Sequence, residues 1–161
     1  MASTRTDKKT KVTYVAAIAS QAAPTAAECN GGTDLEGQLT PDGVIGFEPS
    51  TSEIDNSVLA SDFTTKEPGR AEFSGTMLRF LKTGNTGDTI YNLFVRDLAG
   101  YIVIRRGIDY TTDYAATQAV EVYPIKAGET RNLPPEANGL QKWEVSCTVT
   151  SSPSIRATVA A

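Results

Sequence analysis

The residue types that most often carry chemistry are scarce in this chain. None of its 161 residues is histidine. That removes the commonest general base, the Ser-His and Cys-His nucleophile pairs and most catalytic zinc sites. Asp, Glu, Lys and Tyr remain as candidate acids and bases, but no convergent motif gathers them. Asp109 and Asp113, with Tyr110 and Tyr114 beside them, resemble a calcium loop in composition only. Their spacing departs from the EF-hand pattern and no flanking helices are expected, so the segment reads as a polar loop between strands. Arg105 and Arg106 can each meet a phosphate, yet adjacent strand residues point to opposite faces and form no common patch. A surface ion pair is expected for at least one of them. Gly84-Asn85-Thr86-Gly87-Asp88 precedes a helical pattern, but an anion at that N-terminus would meet the Asp88 carboxylate, so a plain strand-to-helix turn is expected. Walker-type and Rossmann glycine patterns are missing. The sequence therefore predicts no catalytic, metal-binding or cofactor-binding residue, no cofactor and no enzymatic activity.

Cys29 and Cys147 lie far apart and make no CxxC pattern. They read as two independent thiols, with Cys147 buried on the apolar face of a strand; a long-range disulfide stays open for a protein that works outside the cell. Charge and composition set the class. Apolar residues make up 40% and charged residues 21%, ordinary for one globular domain that needs no staple. Nineteen acids against fifteen bases give a net charge of −4, a poor balance for gripping DNA through its phosphates. The apolar run Tyr14 to Ala19 is too short for a signal-peptide core or a membrane span, so cytoplasmic synthesis without a membrane partner is expected.

The elements that must position these residues are mainly strands. Residues 1–12 are polar and basic, with Lys8, Lys9 and Lys11 clustered, and read as a flexible arm whose sharper role is to order against an acidic neighbouring subunit. Residues 13–161 read as one domain. Tyr14 to Ile18 is a candidate strand, Thr33 to Thr40 a weak one, Pro41-Asp42-Gly43 a turn, and Val44 to Phe47 a short strand. Residues 50–68 carry Ile54, Val58, Leu59 and Phe63 scattered among Ser, Thr, Asp and Glu without a period. So long a segment is either a functional loop or an extended hairpin partnered elsewhere, and it is read as a loop that docks on another subunit. Arg70 to Met77 alternates with period two and extends toward Leu81. Asp88 to Ala99 carries a helical apolar stripe of Ile90, Tyr91, Phe94, Val95 and Leu98, with Thr86 or Asp88 as cap and Gly100 at C′. Strands follow at Tyr101 to Ile108, Ala119 to Ala127, Leu140 to Thr150 and Ile155 to Val159. The sum, roughly seven or eight strands and one helix, predicts a mainly β protein, a β-sandwich or barrel with a helix on one side.

The second half carries a family resemblance. Gly100-Tyr101-Ile102-Val103-Ile104-Arg105-Arg106-Gly107 is followed by Val120-Glu121-Val122-Tyr123-Pro124-Ile125-Lys126-Ala127-Gly128-Glu129, a proline-containing loop, the Trp143 strand and a last strand ending in Thr158-Val159-Ala160-Ala161. This order, with the helix before it, resembles the major tail (tail tube) proteins of siphophages infecting actinobacteria, over roughly residues 35–161. The resemblance implies a virion protein whose subunits close into hexameric rings. Stacked rings would make a tube around a tape-measure protein, with DNA passing through the lumen without sequence-specific binding. It implies that long loops and terminal arms join the rings, which makes Ile54, Val58, Leu59, Phe63, Lys8, Lys9 and Lys11 interface candidates. Glu72 and Glu144, read as exposed strand positions, become lumen candidates, and negative charge would keep the conduit from sticking to DNA. Two other classes stay open: a capsid decoration or head–tail joining protein, and a β-sandwich binding module with Tyr110 and Tyr114 as its aromatic platform.

Overall fold

The computed structural model describes residues 3–161. These form ten strands and two short helices. In chain order they are β1 (Thr10–Val15), α1 (Ala26–Asn30), β2 (Thr33–Asp34), β3 (Leu39–Ile45), β4 (Ser50–Asp55), β5 (Lys66–Glu72), β6 (Met77–Leu81), α2 (Thr89–Leu93), β7 (Ala99–Arg106), β8 (Ala119–Asn132), β9 (Lys142–Val149) and β10 (Ser154–Thr158). Eight strands make one antiparallel sheet in the order β2-β1-β7-β8-β9-β6-β3, with β10 also paired to β8. The fold is sandwich-like and mainly β, as expected, and the sheet does not close into a barrel: β2 and β3 remain its edges.

The architecture follows from β8, whose fourteen residues serve both halves of the sheet. Its first half pairs with β7 through Glu121 to Lys126, and with β10 at Ala119, Val120 and Val122. Its second half pairs with β9 from Ile125 to Asn132, with a bulge between Ala127 and Thr130. A bulge adds twist, and twist curls the sheet over itself. Val12, Tyr14, Ile102, Ile104, Tyr123 and Ile125 thereby meet Leu78, Phe80, Trp143, Val145 and Cys147 in one buried core. Trp143 stacks on Phe80 at 4.6 Å, and Tyr91 meets it edge-on at 5.0 Å. Alternation along β7 and β8 sends Val103, Val120 and Val122 to the outer face, where a second core forms with Val15, Cys29, Tyr114, Ala157 and Val159.

This second core is roofed by α1, by residues 107–118 and by the C-terminal segment. The roof is held by polar contacts. Asn30 of α1 both donates to and accepts from the backbone of Tyr114, at 3.0 and 2.8 Å. Arg105 is fully buried on the same face. Its guanidinium donates to the carbonyls of Asp109, Thr112 and Asp113 and to the Gln118 side chain, at 2.7–3.0 Å. It also lies 4.9 Å from the centre of the Tyr114 ring. No carboxylate pairs with it among the described residues, so the loop carbonyls replace the water that the charge gave up.

Several elements differ from the expectation, each for an identifiable reason. Strand β1 starts at Thr10, so the arm is shorter than residues 1–12; Met1 and Ala2, also assigned to it, lie outside the described residues. Pro41-Asp42-Gly43 is a bulge within β3, between Leu39 opposite Phe80 and Val44 opposite Leu78, and makes no chain reversal. Helix α2 covers Thr89–Leu93 only, because Asp97 takes a φ of 67° and Ala99 begins the ladder with β8. Gly100 is therefore a strand residue, its missing Cβ leaving room for the Tyr14 ring. Asp88 does cap α2, accepting from the Tyr91 N–H at 3.1 Å. Helix α1 was not foreseen, although Thr25 and Glu28 form a capping box at the spacing a sequence can show. The run from Arg70 to Leu81 splits into β5 and β6, which belong to different sheets.

Arg105→Lys keeps the charge but loses the planar fork. It is expected to cost about 3 kcal/mol in chemical denaturation and to open residues 107–118 to limited proteolysis, by leaving buried carbonyls unpaired. An unchanged denaturation midpoint would contradict the role given to the guanidinium.

Candidate functional site

The candidate site is a projection from the body. Strands β3 and β6 pair up to Ile45 and Met77, and the same two chain segments then continue outward as the β4–β5 hairpin, a separate two-stranded sheet. Gly46 and Gly75 mark the break, with φ of 73° and 66°. A Cβ on Gly46 would stand 2.6 Å from the Gly75 carbonyl oxygen, so the root tolerates no side chain there. Residues 50–68, read as a docking loop with a hairpin partnered elsewhere as the alternative, are thus mostly a hairpin paired with itself. The apolar residues sit on it without packing against the body.

From Glu48 to Glu72 every residue is exposed except Gly69, which is half-buried. Ile54 on the stem is 55% exposed, and Val58, Leu59 and Phe63 at the tip are 65%, 106% and 72% exposed. The tip is nevertheless ordered by its own polar groups. Asp55 accepts from the Ser57 N–H at 2.8 Å, and these hydrogen bonds hold its carboxyl below the ordinary value. The Ser57 hydroxyl accepts from the Thr65 N–H at 3.0 Å, and Asn56 donates to Glu67 at 2.8 Å. Lys66 pairs across the strands with Glu53. The hairpin is acidic: Glu48, Glu53, Asp55, Asp62, Glu67 and Glu72 outnumber Lys66 and Arg70 by four. That excess equals the net charge of the whole chain, −4, so the remainder is balanced.

The basic candidates divide. Lys8 is exposed in a turn with φ of 56°, and its carbonyl accepts from the Tyr110 N–H. Lys9 lies 3.7 Å from Asp109. Lys11, expected on a solvated arm, is 5% exposed; it pairs with Asp34 at 3.0 Å and lies over the Tyr114 ring. Its place in β1 turns it toward the roofed face, and it is not a free interface group.

The two acids also separate. Glu72 is exposed at the end of β5, on the hairpin and off the main sheet. Glu144 is 4% exposed, against the expectation of a solvent-facing position. Register explains it: Arg79 and Arg131 stand directly opposite on the flanking strands and fold over it, at 3.0 and 2.8 Å. Burial pushes the Glu144 carboxyl up, but hydrogen bonds from Arg131 and Arg79 outweigh it and hold the group below its ordinary value. Arg106 makes the expected surface ion pair, with Glu121 at 2.9 Å, while Arg105 is buried.

The remaining features offer no converging chemistry. Tyr114 is 2% exposed and Tyr110 37%, so no aromatic platform forms. A cleft of about 650 Å³ between the N-terminal turn, the β3 bulge and the hairpin root is lined by Val12, Leu39, Val44 and Phe47, with Glu36, Glu48 and Arg106 among its polar groups. Among the described residues no group of three or more His, Cys, Asp or Glu is placed to hold a metal. Cys29 and Cys147 are buried free thiols, the first pushed up to about 11 and the second to about 12 by burial.

The family model described as phage tail tube protein matches residues 1–161. The chain belongs to that family. No curated protein matches it. A tail tube protein is a structural component of the virion tail that assembles with other subunits into a tube. Among the described residues of this tail tube protein, the apolar side chains at the hairpin tip pack against nothing in the body. Sequence reading found these residues; the self-pairing of the strands and the glycine root were missed, since β4 and the first part of β5 carry no alternation to betray them. The Glu144 pairing was missed because it depends on cross-strand register.

Since the tip touches nothing in the body, Leu59→Ser with Phe63→Ser should leave subunit stability within about 0.5 kcal/mol in urea titration. In the folded subunit at pH 8, Cys29 and Cys147 should be inert to a thiol reagent and react on unfolding, because their raised pKa values leave little thiolate and burial blocks access. Rapid labelling of the native subunit would contradict this.

Proposed function

We propose that this chain is the repeating subunit of a long-tailed phage's tail tube. In this reading, rings of subunits stack around a lumen that holds a tape-measure protein and later passes DNA. The rings are hexameric, as the family resemblance implies, and the subunit is made in the host cytoplasm. The observation that carries the reading is the hairpin: an ordered, acidic projection with Val58, Leu59 and Phe63 at its tip and no partner among the described residues. A contact between the tip and a different surface of a copy is heterologous, and such contacts repeat into open filaments unless they close. The hairpin is the bridge from one ring to the next. Lys8 and Lys9, opposite in sign to it, belong to the surface that receives it; Glu72 travels with the hairpin and away from the lumen.

The test is negative-stain microscopy of the purified chain over a range of concentrations. Stacked rings or hollow tubes are expected. Full burial of a large apolar side chain is worth about 1.5–3 kcal/mol, so Leu59→Asp with Phe63→Asp should raise the concentration needed for tubes about 100-fold or more, with folded subunits. Tubes from the double variant at the wild-type concentration would remove the hairpin from the interface.

A further inference from the structure

Strand β2 is the thinnest attachment in the main sheet. It is two residues long, stands at an edge and pairs with β1 through Asp34 opposite Thr13 and Thr33 opposite Tyr14. Leu35 prolongs the contact by donating to the Val12 carbonyl at 2.8 Å, which brings Glu36 level with Lys11. The Glu36 carboxylate accepts from the Val12 N–H, beside Lys11, at 3.4 Å. Lys11, Thr13, Asp34 and Glu36 thus gather on two adjoining segments.

This group differs from the other ion pairs. Among the described residues it holds the only lysine–carboxylate pair whose lysine is buried: the Lys11 side chain is 7% exposed, the Asp34 side chain 52%. An ammonium taken out of water is costly even beside one partner. Its Nζ donates to Asp34 Oδ2 at 3.0 Å, a separation within the range of about 3–3.5 Å at which held groups react as parts of one molecule. The second oxygen, Oδ1, accepts from the buried Thr13 hydroxyl at 2.9 Å. With the Thr13 proton committed to Asp34, the Tyr114 hydroxyl donates to Thr13 at 3.0 Å, and the Tyr114 ring centre lies 5.5 Å from Nζ. Burial pushes the Glu36 carboxyl up, and the Asp34 charge adds to it, which suits Glu36 to carrying a proton. An amine, a carboxyl carbon, an oxyanion donor and a proton carrier are therefore in one place.

We propose that Lys11 and Asp34 condense into an intramolecular isopeptide bond, with Thr13 stabilising the oxyanion and Glu36 carrying the protons. The Nζ lone pair attacks Asp34 Cγ, and negative charge develops on Oδ1, where the Thr13 hydroxyl donates. Glu36 relays protons from the nitrogen to Oδ2. The Cγ–Oδ2 bond breaks with its electron pair, and Oδ2 departs as water through the open side of Asp34. Of the three ammonium protons, two leave in the water and one stays on the amide. Glu36 ends as it began, and no second reactant enters. A buried charge is replaced by a neutral amide. The edge strand is then fastened to β1 covalently, in the isolated subunit as in any assembly.

The test is mass spectrometry of the purified wild-type chain, kept folded at neutral pH and then denatured. The chain should be lighter than its sequence by one water. Trypsin should leave Lys11 uncut and yield one peptide, residues 10–66, lighter by the same water. A full mass with cleavage after Lys11 would overturn the proposal. Lys11→Arg keeps a cation beside Asp34 but no amine that condenses, and should show its full mass. A water still missing from that variant would place the loss elsewhere and overturn the proposal equally. In freshly made protein, Glu36→Gln should stay folded and form the bond about a hundredfold more slowly, with part of the rate recovered in Glu36→Asp. A wild-type rate in folded Glu36→Gln would overturn the role given to Glu36.

Discussion

The structure depends on one strand having to satisfy backbone hydrogen bonds on both halves of a folded-over sheet. Strand β8 pairs with β7 on one edge and with β10 and then β9 on the other. A strand of that length cannot stay flat, because right-handed twist accumulates along it and the bulge near Gly128 adds more. Curling brings Trp143, Phe80 and Val145 against Ile102, Ile104 and Tyr123, and that contact is the main core. It also divides the outer surface, because the roof over Val103 and Val122 reaches one half only. The buried Arg105 guanidinium makes that roof rigid by gathering carbonyls that would otherwise face an apolar sheet. A covered half and a bare half follow from one continuous sheet without any second domain.

The same sheet launches the hairpin. Strands β3 and β6 keep their pairing as they leave the body, change direction at two glycines and pair again beyond it. The projection costs the subunit nothing in core packing and gains it nothing, which is the expected balance for a segment whose stabilising contacts lie in another copy. Separation of charge reinforces the division of labour. The acidic excess is confined to the hairpin, and the rest of the chain is neutral as a sum and locally paired on the bare face. Negative charge on the hairpin and neutrality over the rest of the chain set the projection apart electrostatically from the body that carries it.

Much of this was legible in the sequence, and the failures have physical causes. Alternation located β9 and the Cys147 face, because one side of that strand packs on the core. It misjudged Glu144, since burial there comes from two arginines on neighbouring strands and no local pattern encodes register. The apolar stripe from Ile90 to Leu98 overstated α2, because the demands of the β7 ladder outweighed local helical spacing. Of the C-terminal alternation, Ala157 and Val159 are buried, but a bulge after Ser154 leaves Ile155 exposed. The composition of residues 50–68 marked the assembly candidates without showing the hairpin, because a stem with both faces in solvent has no reason to alternate. The family resemblance, carried chiefly by the second half and drawn over roughly residues 35–161, agrees at the level of a tail tube protein with a match that spans the whole chain.

The central claim is that the hairpin is an intersubunit element, and helical reconstruction of the assembled protein by electron microscopy tests it most directly. The account requires Val58, Leu59 and Phe63 of each subunit to be buried against a copy in the adjoining ring. Hairpins standing free in solvent on the outside of a well-resolved tube, with rings joined through other surfaces, would contradict it.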